Sequence, residues 1–538
     1  MTIRTFGGFC LLCLLFLLVP LRASAAGDEA VYNEAAKLLT SRSFDEKEQA
    51  IRLLADNNHP QTKQLMTLLM ESRLYFNKKD DGLYQIDDYE TDKPAISLLN
   101  NEPVAIEKKR DFKKITLNNQ LRSLVRQIQA EIGLKSPDLS RRLAAVREML
   151  GSMDEDALAL IRKAYAKEDS ATVREVMQIA IAIGELPAAD EARARDAVAT
   201  LAGSLEPDAR NALTQFAGST DNAALKAAAE KALAEIEQRA RFYGGVETLY
   251  FGLSLGSVLV LAGIGLAITF GVMGVINMAH GELIMLGAYT TYVIQQLMPN
   301  HIGLSLIVAI PCAFLVSALV GIAIERGVIR FLYGRPLETL LATFGISLVL
   351  QQAVRTIFSP LNRSVATPEW MSGLIEINPV LSLTTSRLYI IAFCLLVFFA
   401  LLLVLKRTSL GLQVRAVSQN RAMARAMGVR SEWVDALTFG LGSGVAGVAG
   451  VALSQLTNVG PNLGQSYIID SFMVVVFGGV GNLWGTLVAG LSLGVANKVL
   501  EPWAGAVLAK ILVLVFIILF IQKRPRGLFP QRGRAAEG

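Results

Sequence analysis

Leu249-Tyr-Phe-Gly-Leu-Ser-Leu-Gly-Ser-Val-Leu-Val-Leu-Ala-Gly-Ile-Gly-Leu-Ala-Ile-Thr-Phe-Gly-Val-Met273 runs for 25 residues without a charged side chain. A helix needs about 20 apolar residues to cross the hydrocarbon core of a bilayer, so this run is long enough to span one. Eight more apolar runs follow: Asn277–Leu297, Leu304–Ile324, Glu338–Phe358, Leu388–Leu405, Trp433–Leu456, Tyr467–Val480, Leu487–Leu500 and Val507–Ile521. The fold class they set is α-helical and polytopic, with about eight or nine transmembrane helices, the seventh and eighth runs being short. Glycine is frequent throughout, as close helix packing in lipid requires.

The composition divides at the same place. The 538 residues are 52% hydrophobic and 18% charged, with a net charge of +5 and a mean hydropathy of +0.42. A soluble domain carries about a quarter charged residues. Charge is dense up to Arg241 and sparse beyond it, so residues 242–538 form the membrane domain and 27–241 a separate one. The modest net charge gives no reason to expect nucleic-acid binding.

Clusters of Lys and Arg set the orientation, because short cytoplasmic loops carry the excess of basic residues. Arg326, Arg330 and Arg335 mark one such loop, and Lys406, Arg407, Arg415, Arg421, Arg425 and Arg430 a second. Lys523, Arg524 and Arg526 mark a cytoplasmic C-terminal tail, whereas Pro299–Gly303 and Asn458–Ser466 carry neither Lys nor Arg. Three spans counted back from the first basic loop leave Phe242 outside, and nine spans close consistently. An even count would require a re-entrant segment.

Residues 1–26 read independently as an export signal. Arg4 gives a positive start, Phe9–Val19 an apolar core and Ala23-Ser-Ala25 a small-residue cleavage site. An uncleaved anchor is the alternative, and either would export the chain from Gly27 to the first span. Of the four cysteines, Cys10 and Cys13 lie in this signal and Cys312 and Cys394 in apolar runs. The exported part therefore has no disulfide framework or zinc cluster.

Residues 27–241 are rich in Ala, Leu, Glu, Arg and Lys at helical spacing. Glu46–Ala55, Leu139–Leu150, Thr172–Ile183 and Ala223–Gln238 each place apolar residues on one face. Three helices start alike, with Asp138, Asp169 and Asp221 each followed four or five residues later by a base. An aspartate there suits a helix N-terminus. The recurrence resembles HEAT-like repeats, with an ordinary helical bundle as the alternative. Leu83-Tyr-Gln-Ile, Pro103-Val-Ala-Ile and Lys114-Ile-Thr-Leu, separated by turn residues, predict a small β insertion. His59, the domain's one histidine, reads as a surface residue. With no catalytic pair or metal spacing, the domain suits partner binding.

The loop Thr408–Gly428 is polar, basic and helical in pattern. It looks like the coupling helix by which an importer permease seats on its ATPase. Ala424 and Gly428 match the Ala-x-x-x-Gly part of the importer motif, with Ala422 in place of the motif's acidic residue. The small residues suit close docking, and Arg415, Gln419, Asn420 and Arg421 complete the expected coupling surface. An ordinary positive-inside loop is the alternative.

With these come Asn277-Met-Ala-His-Gly-Glu282, Gln419-Asn-Arg-Ala-Met-Ala, Phe439-Gly-Leu-Gly-Ser-Gly-Val-Ala-Gly-Val-Ala-Gly450 and Ser471-Phe-Met-Val-Val-Val-Phe-Gly-Gly-Val-Gly-Asn-Leu-Trp-Gly-Thr486. Together they resemble the branched-chain amino acid permease family of ABC importers, in its LivH-like branch, over Tyr250–Leu528. The last stretch is similar to the family's urea-transporting members. The resemblance implies a urea permease that works with a second permease subunit, two ATPase subunits and a periplasmic substrate-binding protein. It further implies the bacterial inner membrane, with the N-terminal domain periplasmic. Branched-chain amino acids or short amides are the nearest alternative cargo. An ATP-independent urea channel or a membrane-anchored interaction protein are alternatives of another class.

Five polar residues become candidates for the path of a small polar solute: Asn277, His280, Glu282, Asp470 and Asn482. Ionisable groups at membrane depth are costly and mark pathways or pairs. Asn277–Glu282 has a second reading as a helix cap at the cytoplasmic surface, and Asn482 one as the cap of a broken helix. The sequence holds no Gly-x-x-x-x-Gly-Lys-Ser/Thr. ATP is therefore expected on partner subunits, and neither catalytic nor metal-ligating residues are assigned.

Overall fold

The computed structural model describes residues 30–57, 59–80, 82–87, 94–100, 102–106, 109–151, 153–187 and 190–529. The export signal lies outside them. The chain divides into two compact units, Met1–Glu237 and Gln238–Gly538.

The first unit begins with α1, which includes residues 30–40, then α2 (Phe44–Asp56) and α3 (Thr62–Met70). Five short strands follow: β1 (Leu74–Asn77), β2 (Leu83–Gln85), β3 (Ala95–Ser97), β4 (Pro103–Val104) and β5 (Phe112–Lys114). They pair antiparallel in the order β4-β3-β2-β1-β5, with Tyr84 opposite both Tyr75 and Ser97. The expected insertion is present as a larger sheet. β1 and β3 lie outside the three predicted segments, and the third predicted strand touches β5 only at Lys114. Leu39, Ile51, Leu54, Leu65, Met66 and Leu74 form the core beneath α4 (Asn119–Leu134). His59 is buried here, against the surface reading. Its Nδ1 accepts from the Gln61 N–H at 3.2 Å and its ring lies 6.0 Å from that of Tyr32.

Five further helices are α5 (Leu139–Leu150), α6 (Glu155–Tyr165), α7 (Ala171–Glu185), α8 (Glu191–Leu201) and α9 (Pro207–Ser219). Each packs on its neighbours, α4 on α5, α5 and α6 on α7, α7 on α8, and α8 on α9. Asp138 caps α5 as expected, accepting from the Ser140 N–H at 3.0 Å. Asp169 and Asp221 fall one residue early. Ser170 holds the cap position of α7, and Asn222 accepts from the Ala224 N–H at 2.9 Å. Two of the recurring bases, Arg142 and Arg174, converge instead on Glu168. Arg142 grips its carboxylate with two bonds of 3.0 and 3.1 Å, and Arg174 donates to its backbone carbonyl.

The second unit contains α10 (Ala223–Met273, beginning in the first unit), α11 (His280–Leu297), α12 (Ile302–Gly327), α13 (Pro336–Phe358) and α14 (Thr385–Arg407). After these come α15 (Ser409–Gln419), α16 (Arg421–Ala426), α17 (Ser431–Ser454), α18 (Leu463–Gly478) and α19 (Leu483–Lys523). A hairpin, β6 (Leu374–Glu376) with β7 (Ser382–Thr384), precedes α14. Among the described residues six helices are long and apolar enough to cross a membrane, namely α10, α12, α13, α14, α17 and α19. α18 is apolar but has only 16 residues. The eighth and ninth apolar runs fall on α19, which is two helical segments joined by a kink at the non-helical Gly505, φ 77°. The nine runs therefore fall on nine helical segments, the last two being the parts of α19 on either side of Gly505.

α17 is the central element, with 89% of its apolar window buried against 28% for α13. Its glycines let α10, α11 and α12 approach closely. A Cβ on Gly287 of α11, for example, would lie 2.0 Å from the Gly447 carbonyl oxygen.

Candidate functional site

α10 stops at Met273, and Gly274 follows at φ 65°. Asn277 then folds over the start of α11, its Oδ1 accepting from the Ala279 N–H at 3.0 Å. This break sits alongside the middle of α13, where Met278 N–H donates to Thr343 Oγ1 and Ser347 Oγ donates to Glu282 Oε1, each at 3.1 Å. Thr343 and Ser347 lie seven and eleven residues after Pro336. At 1.5 Å per residue that is about 10 and 16 Å along the helix. The Asn277 turn, which precedes the Ala279 N-cap of α11, therefore lies well inside the helical body, which the surface-cap reading does not anticipate.

A second break comes close to it. α17 ends at Ser454 and α18 starts at Leu463, so two helix N-termini meet at Gly281 and Gly464. A Cβ on either glycine would lie 2.4 Å from the other's carbonyl oxygen. Gln351 Nε2, one turn beyond Ser347, donates to Asn462 Oδ1 at 3.1 Å, and Arg355 donates to the same oxygen at 2.7 Å.

Thr339, Thr343, Ser347 and Gln351 thus form a stripe at four-residue spacing, all buried, while Leu337, Leu341, Leu348 and Val349 of the same helix are exposed. α13 turns its polar face inward and its apolar face outward. Hydropathy alone reads Glu338–Phe358 only as a span. The signal it passes over is the repeat of hydroxyl and amide side chains every fourth residue, which lines one helix face.

Glu282 is 1% exposed and Asn277 wholly buried, and neither Glu282 Oε2 nor Asn277 Nδ2 has a hydrogen-bond partner among the described residues. An unmade bond at a buried polar atom costs about 1–3 kcal/mol, so such atoms need a reason. His280 belongs elsewhere. Two residues before Glu282, it faces roughly the opposite side of α11, with Nε2 2.8 Å from the Ala262 carbonyl. A Cβ on Gly265 would lie 2.9 Å from its Cε1, so the ring fills a gap against α10.

The other two candidates lie apart from this group. Asp470 of α18 accepts from Lys510 Nζ at 3.1 Å. Asn482 caps α19, accepting from the Gly485 N–H at 3.1 Å while its Nδ2 donates to the Phe529 carbonyl at 3.2 Å. It also lines a cleft of about 470 Å³ with Lys406, Arg415 and Trp484. Of the five predicted path residues, the structure brings together Asn277 and Glu282.

The predicted coupling segment forms α15 and α16. Asn420 caps α16, accepting from the Met423 N–H at 2.9 Å. Arg421 pairs with the buried Asp435 of α17, and its guanidinium lies 4.7 Å over the Tyr333 ring. Burial, then the Asp435 and Glu325 carboxylates, push the Tyr333 hydroxyl above its usual range. It remains protonated and donates to Glu325 Oε1 at 3.2 Å.

Two expectations for this segment change. Ala424 packs inward against Val414, Val417 and Val434 and offers no outward docking face. Gly428 has φ 87° with no atom within 4 Å of a Cβ position, so backbone conformation rather than local space favours glycine. The outward face consists of Met423 and Met427, 61% and 79% exposed, beside the exposed Arg415, Gln419 and Arg425.

The family described as "Branched-chain amino acid transport system / permease component" matches residues 248–521. The high-affinity branched-chain amino acid transport system permease protein LivH of Salmonella typhimurium is 31% identical over 294 residues, 53% of this chain and 94% of that protein. BraD of Pseudomonas aeruginosa, a permease protein of the same description, is 30% identical over 298 residues, 53% of this chain and 96% of BraD. The ribose import permease protein RbsC of Escherichia coli is 26% identical over 284 residues, 51% of this chain and 84% of RbsC. No solved structure matches.

Proposed function

Because the chain belongs to the family of branched-chain amino acid transport system permease components, we propose that it forms the translocation path for a small polar solute in an ATP-driven importer, with urea as the cargo. The observation that carries this reading is the pair of helix breaks before α11 and α18, which meet beside the polar face of α13. Broken helices at membrane depth free backbone groups where they line a path. Urea is favoured by the resemblance of Ser471–Thr486 to urea-transporting members and by the hydroxyl, amide and carboxyl character of the buried stripe.

In this reading a second permease subunit completes the path and two ATPase subunits bind ATP. The outward Met423–Met427 face with its arginines meets one ATPase, methionine adapting well to a partner groove. The basic loops face the cytoplasm, as does the C-terminus. The first unit lies on the periplasmic side of the inner membrane, where a substrate-binding protein delivers cargo. Branched-chain amino acids are the second reading, favoured by the names of LivH and BraD.

The test is initial uptake of labelled urea, with leucine as competitor, in cells with and without this gene and in cells whose cognate ATPase has lost its Walker lysine. Uptake lost in both strains and indifferent to leucine supports urea import. Uptake that survives ATPase inactivation refutes the ATP-driven reading. Strong leucine competition moves the cargo to amino acids.

A further inference from the structure

Among the described residues three buried atoms of Asn277–Glu282 have no hydrogen-bond partner; His280 Nδ1 lies on the other side of α11, and the remaining two differ in kind. Glu282 Oε2 is an acceptor and Asn277 Nδ2 a donor. Both residues belong to the segment joined to α13 at Thr343 and Ser347, one helical turn apart. The N-termini of α11 and α18, each the positive end of a helix dipole, meet beside them at Gly281 and Gly464. Gln351 and Asn462 close the stripe one turn further along α13.

We propose that this set is the cargo-recognition subsite of the path and that it selects a planar, uncharged amide. The assignment rests on the permease reading above and adds to it the residues that discriminate. Glu282 Oε2 accepts an N–H of the amide, and Asn277 Nδ2 donates to its carbonyl. The positive helix ends favour the same carbonyl oxygen. Ser347 is a positioning residue, since its hydroxyl occupies Glu282 Oε1 and leaves Oε2 for cargo. A branched aliphatic side chain would press against hydroxyl, amide and carboxyl groups and strip them of water without replacing the lost bonds, which is costly. The subsite therefore disfavours leucine by chemistry rather than by size.

Access requires α13 to move, because Glu282 is 1% exposed. The helix is suited to that. Its buried residues are Thr339, Thr343, Ser347, Gln351 and a single large apolar side chain, Val354. An interface of exchangeable hydrogen bonds can re-form with cargo in place of the neighbouring helix.

The experiment uses the assembled importer in proteoliposomes with saturating binding protein, so that the maximal rate reads the permease. Labelled urea uptake and ATP hydrolysis are measured for wild type, Glu282→Gln, Ser347→Ala and Ser347→Thr. Acetamide and leucine serve as competitors. Glu282→Gln keeps the shape but puts an amide N–H₂ at one of the two carboxyl oxygen positions, and Ser347→Thr keeps the hydroxyl. The expected result is a loss of urea uptake of about tenfold or more in Glu282→Gln and Ser347→Ala, the scale of one lost hydrogen bond. Ser347→Thr restores uptake, and acetamide competes better than leucine. Assembly and melting temperature are checked by size-exclusion chromatography and fluorescence, and hydrolysis persists. Wild-type urea uptake with undiminished rates in folded Glu282→Gln and Ser347→Ala overturns the subsite and leaves the permease reading standing. A wild-type importer that carries leucine and not urea defeats the cargo reading, and the amide assignment fails with it.

Discussion

The meeting of two helix starts at Gly281 and Gly464 makes Gly281→Ala a sharp test of the fold around the path. A Cβ there would lie 2.4 Å from the Gly464 carbonyl oxygen and 2.8 Å from its carbonyl carbon. Both are backbone atoms, so no side-chain rotation relieves the contact and one helix start must shift. Overpacking of this kind costs about 1–3 kcal/mol. Gly345 provides the control, because it lies within α13 with no atom within 4 Å of its Cβ position. Alanine gains about 0.5–1 kcal/mol over glycine in a helix, so Gly345→Ala should be neutral or stabilising. For a unit this large each kcal/mol moves the melting temperature by roughly 2–4 °C. Gly281→Ala should therefore melt several degrees below Gly345→Ala in the purified protein, and Gly464→Ala should match it. Gly281→Ala and Gly345→Ala melting together would refute the close approach, and with it the convergence of α11 and α18.

Other predictions address single contacts. Arg421→Ala leaves the buried Asp435 facing the equally buried Glu325 without its guanidinium. A cost of about 3–5 kcal/mol is expected, largely recovered by adding Asp435→Asn. A double variant melting no higher than Arg421→Ala would remove that explanation. In the first unit, burial raises the Glu168 pKa, but the Arg142 fork and the Ser170 amide outweigh it, so the carboxyl sits below its ordinary range. A depressed folded pKa stabilises above the unfolded value of about 4.3 and is lost as pH falls through the folded value. Arg142→Ala should thus speed amide exchange in α5 and α7 at pH 7, with a smaller difference from wild type below pH 4 after correction for intrinsic rates. An equal difference at both pH values would count against the pair. Asn482→Ala should cost about 1 kcal/mol as a lost helix cap and leave the maximal uptake rate intact. A collapse of uptake in protein of near-wild-type melting temperature would return Asn482 to the solute path.

The helices are legible because a long uncharged run has few alternatives to a membrane span. Their joints are less so. Leu487–Leu500 and Val507–Ile521 read as two runs because Pro502 and Gly505 stand between them, and they are two helical segments, joined by a kink at Gly505 rather than by the loop that separate spans lead one to expect. In the first unit the strands are very short, and β1 pairs not only with its neighbour β2 but with β5, Phe76 opposite Lys113, a partner distant in sequence that local pattern does not reveal. Asp169 and Asp221 suit caps by their spacing, but Ser170 and Asn222, equally suited to the role, stand one residue nearer the helix.

The site shows why polar residues within membrane helices have to be read in pairs of helices rather than singly. Asn277 and Glu282 stand out because an amide and a carboxylate interrupt apolar sequence. Thr339, Thr343, Ser347 and Gln351 do not, since a hydroxyl can satisfy itself on its own helix, as Thr343 does by donating to the Thr339 carbonyl at 2.9 Å. What gives the stripe meaning is the element facing it, a helix start that presents Met278 N–H and the Glu282 carboxylate at the same height. His280 illustrates the converse. It carries the most distinctive side chain of the segment, yet its side of α11 faces Ala262 and Gly265, and there it packs against α10. Helical phase places Glu282 and His280 on opposite sides once the start of α11 is known. That start, which follows the Asn277 turn onto the Ala279 N–H, is therefore what divides path residues from packing residues.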